Sequence, residues 1–129
     1  MANTVTQRTL LGSGSDRNIV RSIHIVSDGT QESDTIVYDN STFVNDVAKG
    51  RLKKVWLSGS DCVARLEWDQ TTDSPVFAGN PSTGGYWDFS EFGGMGNPNE
   101  SGATGDLLLT TSGLAAGEEL FMVIHVVQN

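Results

Sequence analysis

The chain has 129 residues and a mass of 13.8 kDa, the size of one domain, with 16 acidic against 8 basic residues for a net charge of −8. All eight bases lie in residues 1–65 beside seven acids, while residues 66–129 hold nine acids and no Lys or Arg. A half without cations cannot displace counterions from a phosphate backbone, which excludes nucleic acid and anionic membrane as partners for it.

Other exclusions are as direct. The single cysteine, Cys62, leaves no intrachain disulfide and no Cys-based zinc site. The opening MANTVTQRTLLGSGS lacks the apolar core of a signal peptide, which points to synthesis in a reducing cytoplasm. The longest apolar run, Leu120–Val127, falls short of the roughly 18–20 residues of a membrane-spanning helix. Abundant Thr, Ser and Gly favour strands and turns.

In chain order, residues 1–15 read as an extended, Thr/Ser/Gly-rich arm, and residues 16–129 as the folded domain. Asn18–Val26 is the first firm strand, with Ile19, Arg21, Ile23 and Ile25 on one face and Val20, Ser22, His24 and Val26 on the other. Ser27-Asp-Gly-Thr30 is a turn signal, and Thr35–Tyr38 resumes the extended pattern. Ser41–Lys49, closed by Gly50, is the one short helix expected. Leu52–Leu57 and Cys62–Asp69 flank the Gly-containing Ser58–Asp61 and read as a β-hairpin. In the second of these strands Cys62, Ala64, Leu66 and Trp68 alternate with Val63, Arg65, Glu67 and Asp69, so the first set faces the core. Thr71–Ala78 is a strand that Pro75 confines to an edge.

Residues 79–105 hold eight of the fifteen glycines and read as a long Gly-rich loop. Asp106–Thr111 and Glu118–Val127 complete a series of short strands, joined by Ser112–Gly117. The fold class expected is all-β: a single-domain antiparallel β-sandwich or jelly roll with at most one short helix.

Catalytic and metal signatures are missing. There is no G-x-S-x-G elbow, no P-loop, no dinucleotide fingerprint and no calcium loop. His24 and His125 sit in strands amid apolar residues without the spacing of a third metal ligand. Glu67 and Asp69 share a strand face, a spacing that strand geometry alone produces. No enzyme, cofactor or metal is expected.

Two features suit contacts. Lys49, Arg51, Lys53 and Lys54 gather half of the cations within six residues, either as solvated surface or as a patch for an acidic neighbour. In the Gly-rich loop Tyr86, Trp87, Phe89, Phe92 and Met95 stand among Gly, Asn, Pro and Ser, and long loops of this kind carry function. Tyr86-Trp87-Asp88-Phe89 fits a strand with Trp87 and Phe89 in the core, an interface, or a sugar-stacking platform. The candidate interface residues are therefore Lys49, Arg51, Lys53, Lys54, Tyr86, Trp87, Phe92 and Met95. The charge imbalance adds the expectation of an acidic face on the C-terminal half.

The run Gly105-Asp-Leu-Leu-Leu-Thr-Thr111, then Ser112-Gly-Leu-Ala-Ala-Gly117 and the apolar Leu120–Val127, preceded by Gly96-Asn-Pro-Asn-Glu-Ser-Gly102, resembles the ends of small β-rich virion proteins of tailed bacteriophages. Gly105, Asp106, Thr110, Thr111, Ala115, Ala116 and Gly117 carry the pattern, over about the last 35 residues. The resemblance implies a capsid decoration or cement protein on the outer capsid surface, with the major capsid protein and further copies of itself, as a homotrimer, for partners. It brings no family site. A glycan-binding module of a phage fibre, stacking Trp87 or Tyr86 on a sugar, is the alternative, as is another tail or head–tail component.

Overall fold

A computed structural model describes residues 3–12, 18–40, 50–96, 98 and 101–128. The helix expected at 41–49, with Lys49, lies outside the described residues.

Among the described residues, ten antiparallel strands form two sheets packed face to face. The strands are β1 (Thr4–Leu11), β2 (Asn18–Val26), β3 (Thr35–Tyr38), β4 (Gly50–Gly59), β5 (Val63–Trp68), β6 (Ser74–Gly79), β7 (Gly85–Asp88), β8 (Met95–Gly96), β9 (Leu107–Ser112) and β10 (Glu119–Gln128). The larger sheet runs β1-β2-β10-β4-β7, with β8 also pairing to β4, and the smaller runs β3-β9-β5-β6. This is a β-sandwich.

The alternation read from the sequence builds the core. From the large sheet, Ile19, Ile23 and Ile25 of β2, Leu52, Val55 and Leu57 of β4, and Leu120, Met122, Ile124 and Val126 of β10 turn inward. From the small sheet, Ala64, Leu66 and Trp68 of β5 meet them with Leu107 and Leu109 of β9. Each buried Leu, Ile or Val contributes roughly 1.5–3 kcal/mol relative to exposure, and this apolar seam holds the two layers together.

One connection differs from expectation. β4 and β5 do not pair: β4 bonds to β10, β7 and β8, whereas β5 bonds to β6 and β9. The Ser58–Asp61 turn thus crosses between sheets. Both strands carry an unbroken apolar face, and stacking those faces across the core buries both, which in-plane pairing alone does not. Ser112–Gly117 crosses in the same way and seals its passage with the fully buried Leu114. Residues 4–11 of the lead-in are extended and bonded along β2 as the sheet's outermost strand. Pro75 sits in β6, an edge strand of the small sheet, the position to which a residue without an N–H is confined.

The Gly105-Asp106 pair of the C-terminal run has a structural reason. Gly105 has φ +81°, and a Cβ there would lie 2.6 Å from Nδ2 of the buried Asn40. Asp106 Oδ1 accepts the Asn40 backbone N–H at 2.8 Å, and the Asp106 carbonyl accepts the Asp69 N–H at 3.0 Å. The pair therefore pins the start of β9. Gly105→Ala combines a left-handed backbone with a clash and is expected to cost about 1–3 kcal/mol. Chemical denaturation checks this, and a midpoint equal to the wild type contradicts it.

Candidate functional site: the outer face of the large sheet

Strand register sets out the outer face in rows. Arg8, Ser22, Val123, Trp56 and Tyr86 form one row across β1, β2, β10, β4 and β7. Thr6, His24, Phe121 and Ser58 form the row on one side, and Val20, His125, Lys54 and Asp88 the row on the other. Opposite residues in an antiparallel pair point to the same side, so these side chains share one surface.

That surface is aromatic and open. Trp56 is 37% exposed, Tyr86 48% and Phe121 44%. The Trp56 and Tyr86 rings stack at a centroid distance of 5.0 Å and 22° between planes, and Phe121 meets the His24 ring at 6.1 Å. Because each ring of the stacked pair covers part of one face of the other, the pair forms a ridge more than a flat shelf. Exposed aromatic rings grouped on one sheet face mark contact surfaces.

Polar groups frame the ridge. Tyr86 Oη donates to Asp88 Oδ2 at 3.2 Å, and the Ser90 N–H donates to Asp88 Oδ1 at 2.8 Å. The Ser90 hydrogen bonds, with the Tyr86 hydroxyl and nearby Lys54 helping, hold the Asp88 carboxyl below its usual range. His24 Nε2 lies 2.7 Å from Glu119 Oε1, and His125 Nε2 lies 2.9 Å from Asn18 Oδ1. The two histidines are set in separate rows, so they do not meet as a pair.

The sequence-level candidates divide. Tyr86 stands on the ridge. Trp87, its neighbour, turns inward and packs edge-on against Phe77 at 5.0 Å, and Phe89 also packs on the core. Trp87 is thus a packing residue, as the strand reading of 86–89 requires. Met95 is half-buried against the core, and its carbonyl accepts from Trp68 Nε1 at 3.3 Å. Phe92 closes a short 3-10 turn, Ser90–Phe92, inside the segment read as loop. Arg51, Lys53 and Lys54 are half-buried on β4, with Lys54 opposite Asp88 and Lys53 at a bulge. Trp56 and Phe121 were not among the candidates. Period-2 alternation in Lys54-Val-Trp-Leu57 places Trp56 on the solvent side with Lys54.

The acidic face expected on the C-terminal half does not form as a separate surface of the large sheet. β10 and β7, both from that half, flank β4, so Glu119 of β10 meets His24 of β2 and Asp88 of β7 faces Lys54. On the small sheet, carboxylate oxygens of Asp34, Glu67 and Asp73 lie within 4.8 Å of one another, and Glu67 also reaches Arg65 at 3.4 Å. Cys62 is buried on the core side, and burial, together with Glu118 and Asp61, pushes its thiol up.

His125 gives a pH prediction. Burial, reinforced by Lys53 and Lys54, holds its imidazole below the ordinary 6.5. The unfolded chain then takes up this proton before the folded one, so this residue's share of stability is present above 6.5 and is lost as pH falls below it. Melting temperature is expected to fall on acidification through that range, with a shallower slope in His125→Gln. Parallel slopes for the two proteins contradict this.

No protein family matches the chain, and no curated protein matches it in sequence. Among solved structures it is similar to a family 29 carbohydrate-binding module from Piromyces equi, with a TM-score of 0.50 and 11% identity over 96% of this chain and 91% of that one. The two share a β-sandwich fold. Procruciferin, an 11S globulin from Brassica napus, aligns with a TM-score of 0.29 and 11% identity over 98% of this chain and 25% of its own. The sandwich likeness concerns backbone architecture alone, and the ridge rests on the side chains named above.

Proposed function

We infer that the chain is a non-enzymatic virion structural protein that attaches through the outer face of its large sheet. The observation carrying this reading is the exposed, stacked Trp56–Tyr86 pair, flanked on the same face by Phe121. Aromatic anchors of this kind contribute most of the energy in protein interfaces. The virion setting rests on the resemblance of residues 96–127 to tailed-phage virion proteins. In that setting the chain decorates the outer capsid surface, with the major capsid protein as its lattice partner.

Imaging empty expanded capsids incubated with saturating protein tests the reading. Ordered density at repeated lattice positions is expected. Bare capsids overturn it. Lys53 and Lys54 lie at one end of the same face, so reversing both to Glu is expected to weaken attachment at low salt, with the difference fading toward ~1 M, where the Debye length is about 3 Å. The fold tolerates the change, because one cross-strand charge pair contributes only about 0.2–1 kcal/mol. Attachment equal to wild type at low salt leaves the lysines as plain surface.

A second reading is favoured by one observation. Tyr86 carries a hydrogen-bonded carboxylate neighbour, Asp88, beside an exposed ring, and that combination of ring face and hydroxyl acceptor suits a sugar. The shared sandwich of a carbohydrate-binding module agrees with it. Glycan-array binding that Tyr86→Ala removes, together with bare capsids, is the outcome that favours this reading over decoration.

A further inference from the structure

The large sheet ends on β1, and this edge strand is unlike the others among the described residues. β3 and β7 are four residues long, and β6 carries Pro75 and a register shift, all features that blunt an edge against strand pairing. β1 runs for eight residues, regular from Thr4 to Thr9, with no Pro, Lys or acid. It is also fixed from beneath. Arg21 donates through Nη1 to Thr9 Oγ1 at 2.6 Å, through Nη2 to Gln7 Oε1 at 2.9 Å, and through Nε to the Val37 carbonyl at 2.7 Å. Gln7 Nε2 donates to the Ile36 carbonyl at 3.0 Å. These bonds tie β1 to β2 and, across the mouth of the sandwich, to β3. An incoming strand therefore meets a preformed edge with little left to order.

We propose that β1 pairs antiparallel with β1 of a second copy of this chain, joining two large sheets about a two-fold axis. Directly opposite residues must share a sheet face, so the axis passes through a residue. Centred on Thr6 or Gln7, it sets Arg8 of each copy against Thr4 or Thr6 of the other. The only charge on the strand then never opposes itself. The pairing is self-complementary and closes at two copies, because the far edge, β7, is too short to propagate a sheet. It also leaves both aromatic faces pointing the same way, so two attachment surfaces act on one substrate lattice at high effective concentration. The paired strands alone bury less than the ~800 Å² per partner of a standard interface, so the dimer is weak in free solution and forms where copies are crowded.

Cysteine crosslinking tests the register. In a Cys62→Ala background, single cysteines are introduced at Thr4, Thr6, Gln7 and Arg8, with exposed Val63 as the control. Opposite Cα atoms of a strand pair lie about 4.5–5.5 Å apart, within disulfide reach. Oxidation is expected to give dimers with a sharp maximum at Thr6 or Gln7 and little at Val63. Sedimentation over a wide concentration range is expected to show a monomer–dimer equilibrium that Thr6→Lys weakens severalfold without altering the melting temperature. A monomer at every concentration, crosslinking that is even across positions, or a trimer insensitive to Thr6→Lys overturns the proposal. The attachment reading stands or falls separately, since Trp56→Ala and Tyr86→Ala leave β1 untouched and are expected to remove attachment with the monomer–dimer equilibrium unchanged.

Discussion

The double substitution Trp56→Ala and Tyr86→Ala is expected to abolish attachment while the sandwich stays folded. Interface anchors cost about 2 kcal/mol or more on truncation to Ala, so the pair together should weaken attachment by at least about 100-fold. The fold survives because both rings lie on the solvent side of β4 and β7, with no layer packed above them among the described residues. Their mutual stacking contributes about 0.5–1.5 kcal/mol, which lowers the melting temperature by only a few degrees. Trp87→Ala is the informative contrast. Its ring packs inward on Phe77, so its loss is expected to lower stability while the fraction still folded attaches normally. Saturation of capsids at matched folded concentration reads both results. Undiminished attachment by the double variant would remove the ridge from the mechanism.

Trp68→Ala is expected to be the most damaging single change to the fold. Trp68 belongs to the small sheet, is fully buried, and reaches across to the large one. Its indole Nε1 donates to the Met95 carbonyl of β8, and its ring lies so close to Gly50 at the start of β4 that a Cβ there would approach Cη2 to 3.2 Å. One side chain thus couples β5 to two strands of the opposite layer. Truncating a buried Trp costs about 3–5 kcal/mol, a large share of the ~5–15 kcal/mol that holds a domain of this kind folded. The melting temperature should drop by roughly 10–20 °C. Trp68→Phe keeps most of the volume and loses the N–H bond, and it should cost markedly less. A melting temperature for Trp68→Ala within a few degrees of wild type would contradict this account of the core.

The parts of the fold that were legible are those a strand writes into its own residues. Ile19, Ile23 and Ile25 are spaced for one face, and all three are buried. Cys62, Ala64, Leu66 and Trp68 do the same, and Pro75 signals an edge before any partner is known. The Ser58–Asp61 turn misled because a Gly-containing loop between two apolar strands looks the same whether it closes a hairpin or crosses a sandwich. Residues 79–105 misled through their glycines. Gly85 and Gly96 lie inside β7 and β8, strands that exist because β4 supplies their ladder.

The site was half legible. Tyr86 stands out in the sequence by its Gly-rich setting, whereas Trp56 lies inside an apolar run, and nothing local to either residue says that they stack. Lys54 and Asp88 likewise carry opposite charges in separate segments and become neighbours only through register. By itself, the sequence determined an all-β chain, the inward face of its main strands and the lack of recognisable catalytic motifs, because side-chain alternation and composition are properties of short segments. The tertiary structure alone decided which strands share a sheet, and with that the merging of the two charge halves and the assembly of Trp56, Tyr86 and Phe121 on one face. Strand pairing is long-range. β10 closes on β2 and β4 from the far end of the chain, and no local pattern specifies which ladder a strand will join.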